Sequence, residues 1–175
     1  MSGSYILLGV ILLAGMAYSI IARKLTIDAA FTGAVVATGI FVGAGFTGVS
    51  MMTVFFILGS AATSWKKELK ERAGAAEKTS GRTAGQVLAN AGAAGTCGLL
   101  AYYYPQNTVL FQVMLAASLA SATADTLSSE LGMVYGRRFY NIITLKKDTK
   151  GLDGVVSAEG FLIGIAGSSI IAVIY

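Results

Sequence analysis

Six long apolar stretches restrict what this chain can fold into. Each approaches the ~17–25 residues that an α-helix needs to cross a bilayer. Only 13% of the residues are charged, against about 25% in an average soluble domain. The 22 glycines suit close packing of membrane helices, because small residues let backbones approach. We therefore predict an all-α, polytopic transmembrane helical bundle that forms a single integral membrane domain over residues 1–175, with about six spans at residues 4–22, 29–44, 50–65, 84–104, 109–124 and 155–175.

The basic residues define a topology. All thirteen lie in the segments that follow the first, third and fifth predicted spans, whereas the segments around Thr47 and Asn107 carry no charge. The positive-inside rule then places the charged segments, including two longer polar loops, in the cytoplasm and both termini outside. Any chemistry is expected at the cytoplasmic face. The basic residues are Arg23, Lys24, Lys66, Lys67, Lys70, Arg72, Lys78, Arg82, Arg137, Arg138, Lys146, Lys147 and Lys150.

The chain has no histidine and one cysteine, Cys97. This composition excludes histidine-based triads, histidine proton shuttles and zinc sites built on histidine or clustered cysteine. A metal would therefore be held by oxygen ligands, which favours Mg²⁺.

The stretch SATADTLSSELG, residues 121–132, places two carboxylates at or near the end of the fifth predicted span. An ionised Asp at membrane depth costs roughly 2.5–3.5 kcal/mol on insertion scales, so such residues usually face a bundle interior or a wet cavity. Asp125 shares a helix face with several serines, whereas Glu130 is about 140° further round a regular helix. Glu130 can join the same site only if the helix ends or distorts there. The alternatives are a polar packing seam and a metal or proton site.

The first polar loop leads into the fourth predicted span. Its first part, with Glu68 and Glu71 among lysines, is typical of a solvated helical extension. The later KTSGR segment, Lys78 to Arg82, combines two cations with hydroxyls and the glycine Gly81 before a helix start. That combination suits anion binding, although it lacks the Walker A pattern and could equally be a plain loop with a helix cap. Gln86 and Asn90 follow on one face of the next helix, where amides in lipid need partners.

The second polar loop, residues 136–160, has strand-like character at residues 141–145 and turns at residues 148–154. Gly151 and Gly154 permit unusual backbone angles there. Asp153 adds a carboxylate at the level of Asp125 and Glu130. Two interpretations stay open for Lys146, Lys147 and Lys150: binding of anionic lipid headgroups, or binding of phosphate.

Together, these groups suit a nucleotide–magnesium complex. Asp125, Glu130 and Asp153 would hold Mg²⁺, while basic side chains and backbone N–H groups would neutralise phosphate charge. The predicted nucleotide-binding residues are Lys78, Ser80, Gly81, Arg82, Gln86, Asn90, Lys150, Asp153 and Gly154. A membrane setting suggests a lipid phosphate as the second substrate.

Three blocks of the sequence resemble the phytyl-phosphate kinase family of polytopic membrane proteins, long filed as a domain of unknown function. They are KTSGRTAGQVLANAG at residues 78–92, ADTLSSELG at 124–132, and ITLKK with KGLDGVVSAEG within 143–160. The resemblance implies transfer of a phosphoryl group from a nucleoside triphosphate, CTP in related polyprenol kinases, to a prenyl monophosphate such as phytyl or geranylgeranyl phosphate. It implies roles for Arg82, Gln86, Asn90, Asp125, Ser129, Glu130, Lys150, Asp153, Gly154 and Ser157, with Asp125, Glu130 and Arg82 as the catalytic set. Leu152 stands where the family motif is expected to have a threonine.

Other functions remain open on sequence alone. Asp125 and Glu130 could relay protons or bind cations in a small transporter or channel. The chain could be another lipid-phosphate or cytidylyl transferase, or an assembly factor whose basic loops bind anionic lipid. The chain is shorter than expected for the family, so a homodimer could be needed to enclose a lipid channel. No nucleic-acid partner is expected.

The topology can be tested by cysteine labelling in a Cys97-free background. A membrane-impermeant reagent added outside is expected to label a cysteine at Asn107 and to leave one at Ala75 unlabelled, because the charged segments are predicted to be cytoplasmic. Labelling of the Ala75 probe from outside would reverse the assignment.

Overall fold

Helices dominate the residues that the structure describes. The computed structural model describes residues 2–72, 81–152 and 154–175. Within these ranges it has six α-helices and one two-stranded sheet, which confirms the all-α fold class. The helices are α1 (Ser2–Ile21), α2 (Ile27–Ser64), α3 (Lys67–Arg72), α4 (Ala84–Tyr103), α5 (Thr108–Tyr135) and α6 (Ala158–Ile174), and the strands are β1 (Phe139–Asn141) and β2 (Val155–Ser157).

Three of the described helical stretches are long and apolar enough to cross a membrane: Gly3–Ile21, Ile27–Ser64 and Pro105–Tyr135. The apolar helix α6 is shorter, with 17 residues. These lengths and compositions fit an integral membrane protein.

A sharp turn at Gly45 replaces the loop predicted around Thr47. Helix α2 contains 38 residues, and Gly45 interrupts its helical backbone with φ 57° and ψ −149°, a combination that is essentially restricted to glycine. A methyl group at Gly48 would lie 2.6 Å from Cγ2 of Ile40. Eight residues of straight helix would separate these positions by about 12 Å, so the chain must fold back at Gly45.

Helix limits differ from the predicted span limits at two other places. The fifth predicted span ends at residue 124, but α5 continues to Tyr135. The sixth was predicted to begin at residue 155, but Val155–Ser157 pairs as β2 with Phe139–Asn141 and the helix begins at Ala158. The strand-like segment predicted at residues 141–145 is instead a strand that ends at Asn141, followed by a turn. Strand pairing across a polar loop is non-local, so apolar patterning alone does not reveal it.

The chain packs as two compact units. The first comprises Met1–Val49 with Thr79–Leu115, and the second comprises Ser50–Lys78 with Ala116–Tyr175. In the first unit, α2 and α4 touch through glycines. A methyl group at Gly39 would lie 3.1 Å from the Gly95 oxygen, and one at Gly43 would collide with the Gly98 oxygen. The Gln112 side chain also donates a 2.7 Å hydrogen bond to the Gly43 oxygen.

In the second unit, α5 and α6 also touch through glycines. A methyl group at Gly160 would lie 2.7 Å from the Ser128 oxygen, and one at Gly164 would lie 3.1 Å from the Ala124 oxygen. Lipid tails are as apolar as leucine, so membrane helices gain from close packing rather than from expulsion of water. Glycine at these positions provides that close packing.

We expect Gly43→Ala to destabilise the protein by about 1–3 kcal/mol, the usual cost of overpacking a tight contact. The reason is that the new methyl group would meet the backbone of Gly98. The measurement is the apparent Tm of protein purified in detergent. Gly33→Ala is the matched control, since Gly33 lies on the same helix with nothing within 4 Å of the added methyl. Equal effects of the two substitutions would contradict this packing.

Candidate functional site

The described site residues predicted from the sequence fall into both units. Gly81, Arg82, Gln86 and Asn90 belong to the first, and Asp125, Glu130, Lys150 and Gly154 belong to the second. Lys78, Ser80 and Asp153, which complete the predicted set, lie outside the described residues.

In the first unit, the chain segments that enter α2 and α4 are hydrogen-bonded to each other. Leu25 and Arg82 form a parallel β-bridge. The Arg82 N–H donates to the Lys24 oxygen at 2.9 Å, and the Thr26 N–H donates to the Arg82 oxygen at 3.1 Å. The bridge therefore holds the N-termini of two helices side by side.

Threonines cap both helix starts. The Thr26 hydroxyl accepts from the Ala29 N–H at 3.4 Å. Thr83 accepts from the Gln86 N–H at 3.4 Å, while the Gln86 side-chain oxygen accepts from the Thr83 N–H at 2.8 Å. This reciprocal pair is a capping box. Gln86, predicted to bind nucleotide, thus has a structural role through its side-chain oxygen.

Gly81 allows the two segments to meet. Its φ is +100°, and an added methyl group would lie 3.1 Å from the Arg23 oxygen and the Leu25 nitrogen. A residue with a side chain would be strained in this conformation and would press the backbones apart. The glycine predicted to give backbone freedom before the helix start therefore has a definite structural reason.

Paired helix N-termini favour negative charge. Unsatisfied N–H groups and aligned peptide dipoles give each start a partial positive charge, and Arg82, which is half-buried, adds a full one. The exposed Asp28 carboxylate lies near the Thr26 hydroxyl and the N-terminus of α4. Sequence reasoning does not link Asp28 to α4, because that proximity depends on the bridge.

In the second unit, Asp125 and Glu130 have different surroundings. Asp125 is exposed, and its carboxylate makes no hydrogen bond or ion pair with any described residue. Because α5 runs to Tyr135, Glu130 is about 140° further round the helix. The condition under which Glu130 could share the Asp125 site, an end or distortion of the helix, is not met.

Glu130 forms an ion pair that the sequence did not reveal. The Lys70 ammonium lies 2.6 Å from Oε2 of Glu130, with side-chain exposures of 4% and 24%. The same ammonium donates to the Ala62 and Thr63 oxygens at 2.9 and 2.8 Å. It therefore satisfies the last carbonyls of α2, which have no intrahelical partner, and ties them to α5. Sequence spacing could not indicate this pair, since sixty residues separate its members.

Interfacial aromatic residues lie at the same helix ends. The Trp65 indole N–H donates to the Tyr135 hydroxyl at 2.9 Å, and the Lys66 ammonium lies 5.4 Å from the centroid of the Tyr135 ring. Trp and Tyr favour the level of lipid headgroups. This contact is typical of an interfacial anchor.

The predicted Mg²⁺ ligands have different surroundings. Among the described residues, no three acidic, cysteine or histidine side chains are grouped closely enough to hold a metal. Asp125 has the right chemistry and an available carboxylate, whereas Glu130 is engaged by Lys70. The third predicted ligand, Asp153, lies outside the described residues. Of the two predicted ligands that the structure describes, Asp125 is therefore the one whose carboxylate has no other described partner.

The third block builds the start of α6. The buried Ser157 hydroxyl accepts from the Gly160 N–H at 3.1 Å and caps the helix. Gly154 has φ +72° and Gly151 has φ +89°, so both glycines adopt the unusual angles predicted for them. The Lys150 ammonium lies 5.7 Å from the centroid of the Phe139 ring.

The apolar helices, their glycine contacts and the polar residues at the helix ends define a polytopic helical membrane protein. A family model described as "Integral membrane protein DUF92" matches residues 10–175, so the chain belongs to that family. The match confirms the family-level resemblance drawn from the three sequence blocks.

Curated relatives support the same membership. Protein VTE6, chloroplastic, of Arabidopsis thaliana is 34% identical over 126 residues, which is 70% of this chain and 38% of that protein. An uncharacterized membrane protein of Synechocystis is 35% identical over 71% of this chain and 49% of its own length. One from Methanocaldococcus jannaschii is 40% identical over 31% of this chain and 23% of its own. The chain thus spans less than half the length of each of these relatives. No solved structure matches it.

We expect Lys70→Met to destabilise the protein, because it removes the cation from Glu130 and the donor from two helix-end carbonyls. The loss should fall between the ~1 kcal/mol of an exposed pair and the ~3–5 kcal/mol of a fully buried one. The apparent Tm in detergent measures it, with Lys67→Met, an exposed position on the same short helix, as control. Lys70→Met combined with Glu130→Leu should recover part of the loss. No difference between Lys70→Met and Lys67→Met would contradict a structural ion pair.

Proposed function

We propose that this chain is a membrane kinase that transfers a phosphoryl group from a nucleoside triphosphate to a prenyl monophosphate, such as phytyl or geranylgeranyl phosphate. CTP is the proposed donor. Family membership and the three signature blocks support the class. The observation that carries the proposal is the Leu25–Arg82 bridge, which brings two helix N-termini together beside an arginine.

Phosphoryl transfer needs positioning and charge neutralisation more than covalent chemistry from the protein. The first-turn N–H groups of α2 and α4, together with the Arg82 guanidinium, are the proposed phosphate ligands. The planar guanidinium can contact two phosphate oxygens at once, which a lysine ammonium cannot reproduce. Lys78, Ser80 and Asn90 are proposed to extend this set, and Gly81 and Gln86 to hold its backbone.

The Asp28 carboxylate supports this choice of site. It lies at the N-terminus of α4 in the folded chain, so this corner already accommodates one negatively charged group. A phosphate bound there would meet the same N–H donors, and would also meet the charge of Asp28. A cation between the two would relieve that repulsion.

Asp125 and Asp153 are the proposed oxygen ligands of Mg²⁺, with Glu130 held in place by Lys70. When bound, the metal would neutralise charge on the phosphate oxygens. Lys150 and Gly154 are proposed as further nucleotide-binding residues. We further propose that the active face is cytoplasmic, that both termini lie outside, and that the active form can be a homodimer.

The decisive assay follows transfer of label from radiolabelled nucleotide to prenyl monophosphates by protein reconstituted in lipid. CTP, ATP, GTP and UTP are compared, with and without Mg²⁺. Arg82→Lys keeps the charge and the backbone bridge, yet should lower the rate roughly 10²-fold, about 2.7 kcal/mol, because it loses contacts that strengthen in the transition state. Asp125→Asn should abolish activity.

Lys67→Ala is the control, an exposed cation expected to have little effect. A thermal-shift measurement on each variant separates loss of chemistry from loss of folding. The proposal is wrong if no prenyl monophosphate accepts label, or if Arg82→Lys matches the parent protein while Lys67→Ala does not.

A further inference from the structure

The turn that follows β1, residues 142–147, displays apolar side chains outside the helical bundle. Ile143 is 86% exposed, Leu145 79% and Ile142 56%. The described residues leave these side chains uncovered. Polar loops in water seldom present so much contiguous apolar surface without an interacting partner.

Hydrogen bonds fix the backbone that presents them. The Asn141 N–H donates to the Lys146 oxygen at 2.9 Å, and the Leu145 N–H donates to the Asn141 oxygen at 2.8 Å. The Asn141 side-chain oxygen accepts from the N–H groups of Ile143 and Thr144 at 3.0 and 3.1 Å. Its amide donates to Asp148 at 3.2 Å. The apolar side chains are therefore held in a defined arrangement.

Leu145 has a backbone conformation that disfavours its side chain. Its φ is +56°, the left-handed region in which glycine and asparagine are the usual residues. Strain of this kind persists where the surrounding structure enforces it, and it is concentrated at functional positions. An exposed leucine at this position indicates that its apolar side chain contacts a partner.

Charge and position identify the partner. Lys146 and Lys147 follow Leu145 directly and are exposed. The turn begins seven residues after the end of α5, a distance of at most ~25 Å for extended chain, and α5 belongs to a candidate membrane span. Apolar side chains next to lysines at this distance from a span match the boundary between lipid headgroups and acyl chains.

We propose that residues 142–147 form an interfacial anchor, in which Ile143 and Leu145 enter the headgroup–acyl boundary of the surrounding bilayer while Lys146 and Lys147 contact anionic headgroup phosphates. This anchor is independent of nucleotide chemistry and stands whether or not the chain is a kinase. It holds one end of the β1–β2 hairpin, and thus the start of α6, against the membrane surface.

The test is spin-label accessibility in the full chain, with Cys97→Ala and one new cysteine, reconstituted in vesicles. Collision of the nitroxide with oxygen and with a water-soluble nickel chelate reports its depth. Leu13→Cys provides the lipid reference, since Leu13 is 70% exposed on the candidate span Gly3–Ile21. Thr149→Cys provides the water reference, because Thr149 is exposed in the same loop.

The Ile143→Cys probe is expected to fall closer to the Leu13 reference than to the Thr149 reference, and to move deeper when phosphatidylglycerol is added to phosphatidylcholine vesicles. Lys146→Gln with Lys147→Gln should abolish that second shift. A reading at the Thr149 value in both vesicle types would overturn the anchor. The anchor would also be overturned if the Ile143 probe became accessible to the nickel chelate when the protein is diluted into excess lipid. A second copy of the chain, and not the bilayer, would then be covering the turn.

Discussion

Contact between glycine backbones is the constraint on which both units depend. Between α2 and α4, a methyl group on Gly43 has no room beside Gly98, and between α5 and α6 one on Gly160 has none beside Ser128. In water, burial of larger apolar side chains could drive such pairing. In lipid that driving force is absent, so dispersion contacts at short range replace it. This accounts for the glycines at the helix contacts, although others, such as Gly33, have nothing within 4 Å of an added methyl group.

Close helix packing also brings polar groups at the helix ends into a defined arrangement. The N-termini of α2 and α4 are joined by a bridge between Leu25 and Arg82. In the second unit, Lys70 joins the C-terminal carbonyls of α2 to Glu130 of α5. The first arrangement concentrates partial positive charge, and the second neutralises a full negative one. A phosphate ligand would benefit from the first, whereas in the second Lys70 already engages one carboxylate oxygen of Glu130.

The two carboxylates of the ADTLSSELG block therefore differ in role despite being five residues apart. Asp125 is exposed and has no partner among the described residues, while Glu130 is paired. Desolvation explains the difference. An ammonium as deeply buried as that of Lys70 requires an anion and hydrogen-bond acceptors nearby, because burial of an unpaired charge is costly. The proposed kinase chemistry at this block accordingly centres on Asp125.

The sequence by itself determined the membrane class, the helical fold and the polar blocks, because apolar length and the distribution of charge are properties of local composition. It also indicated the helix start after Gly81, since capping acts over three or four residues. Only the tertiary structure decided that Leu25 meets Arg82, that Lys70 meets Glu130, and that the chain turns back at Gly45. The first two contacts join residues 57 and 60 positions apart (82 − 25 and 130 − 70). The third depends on a backbone angle that many glycines could adopt and that packing against Ile40 selects here.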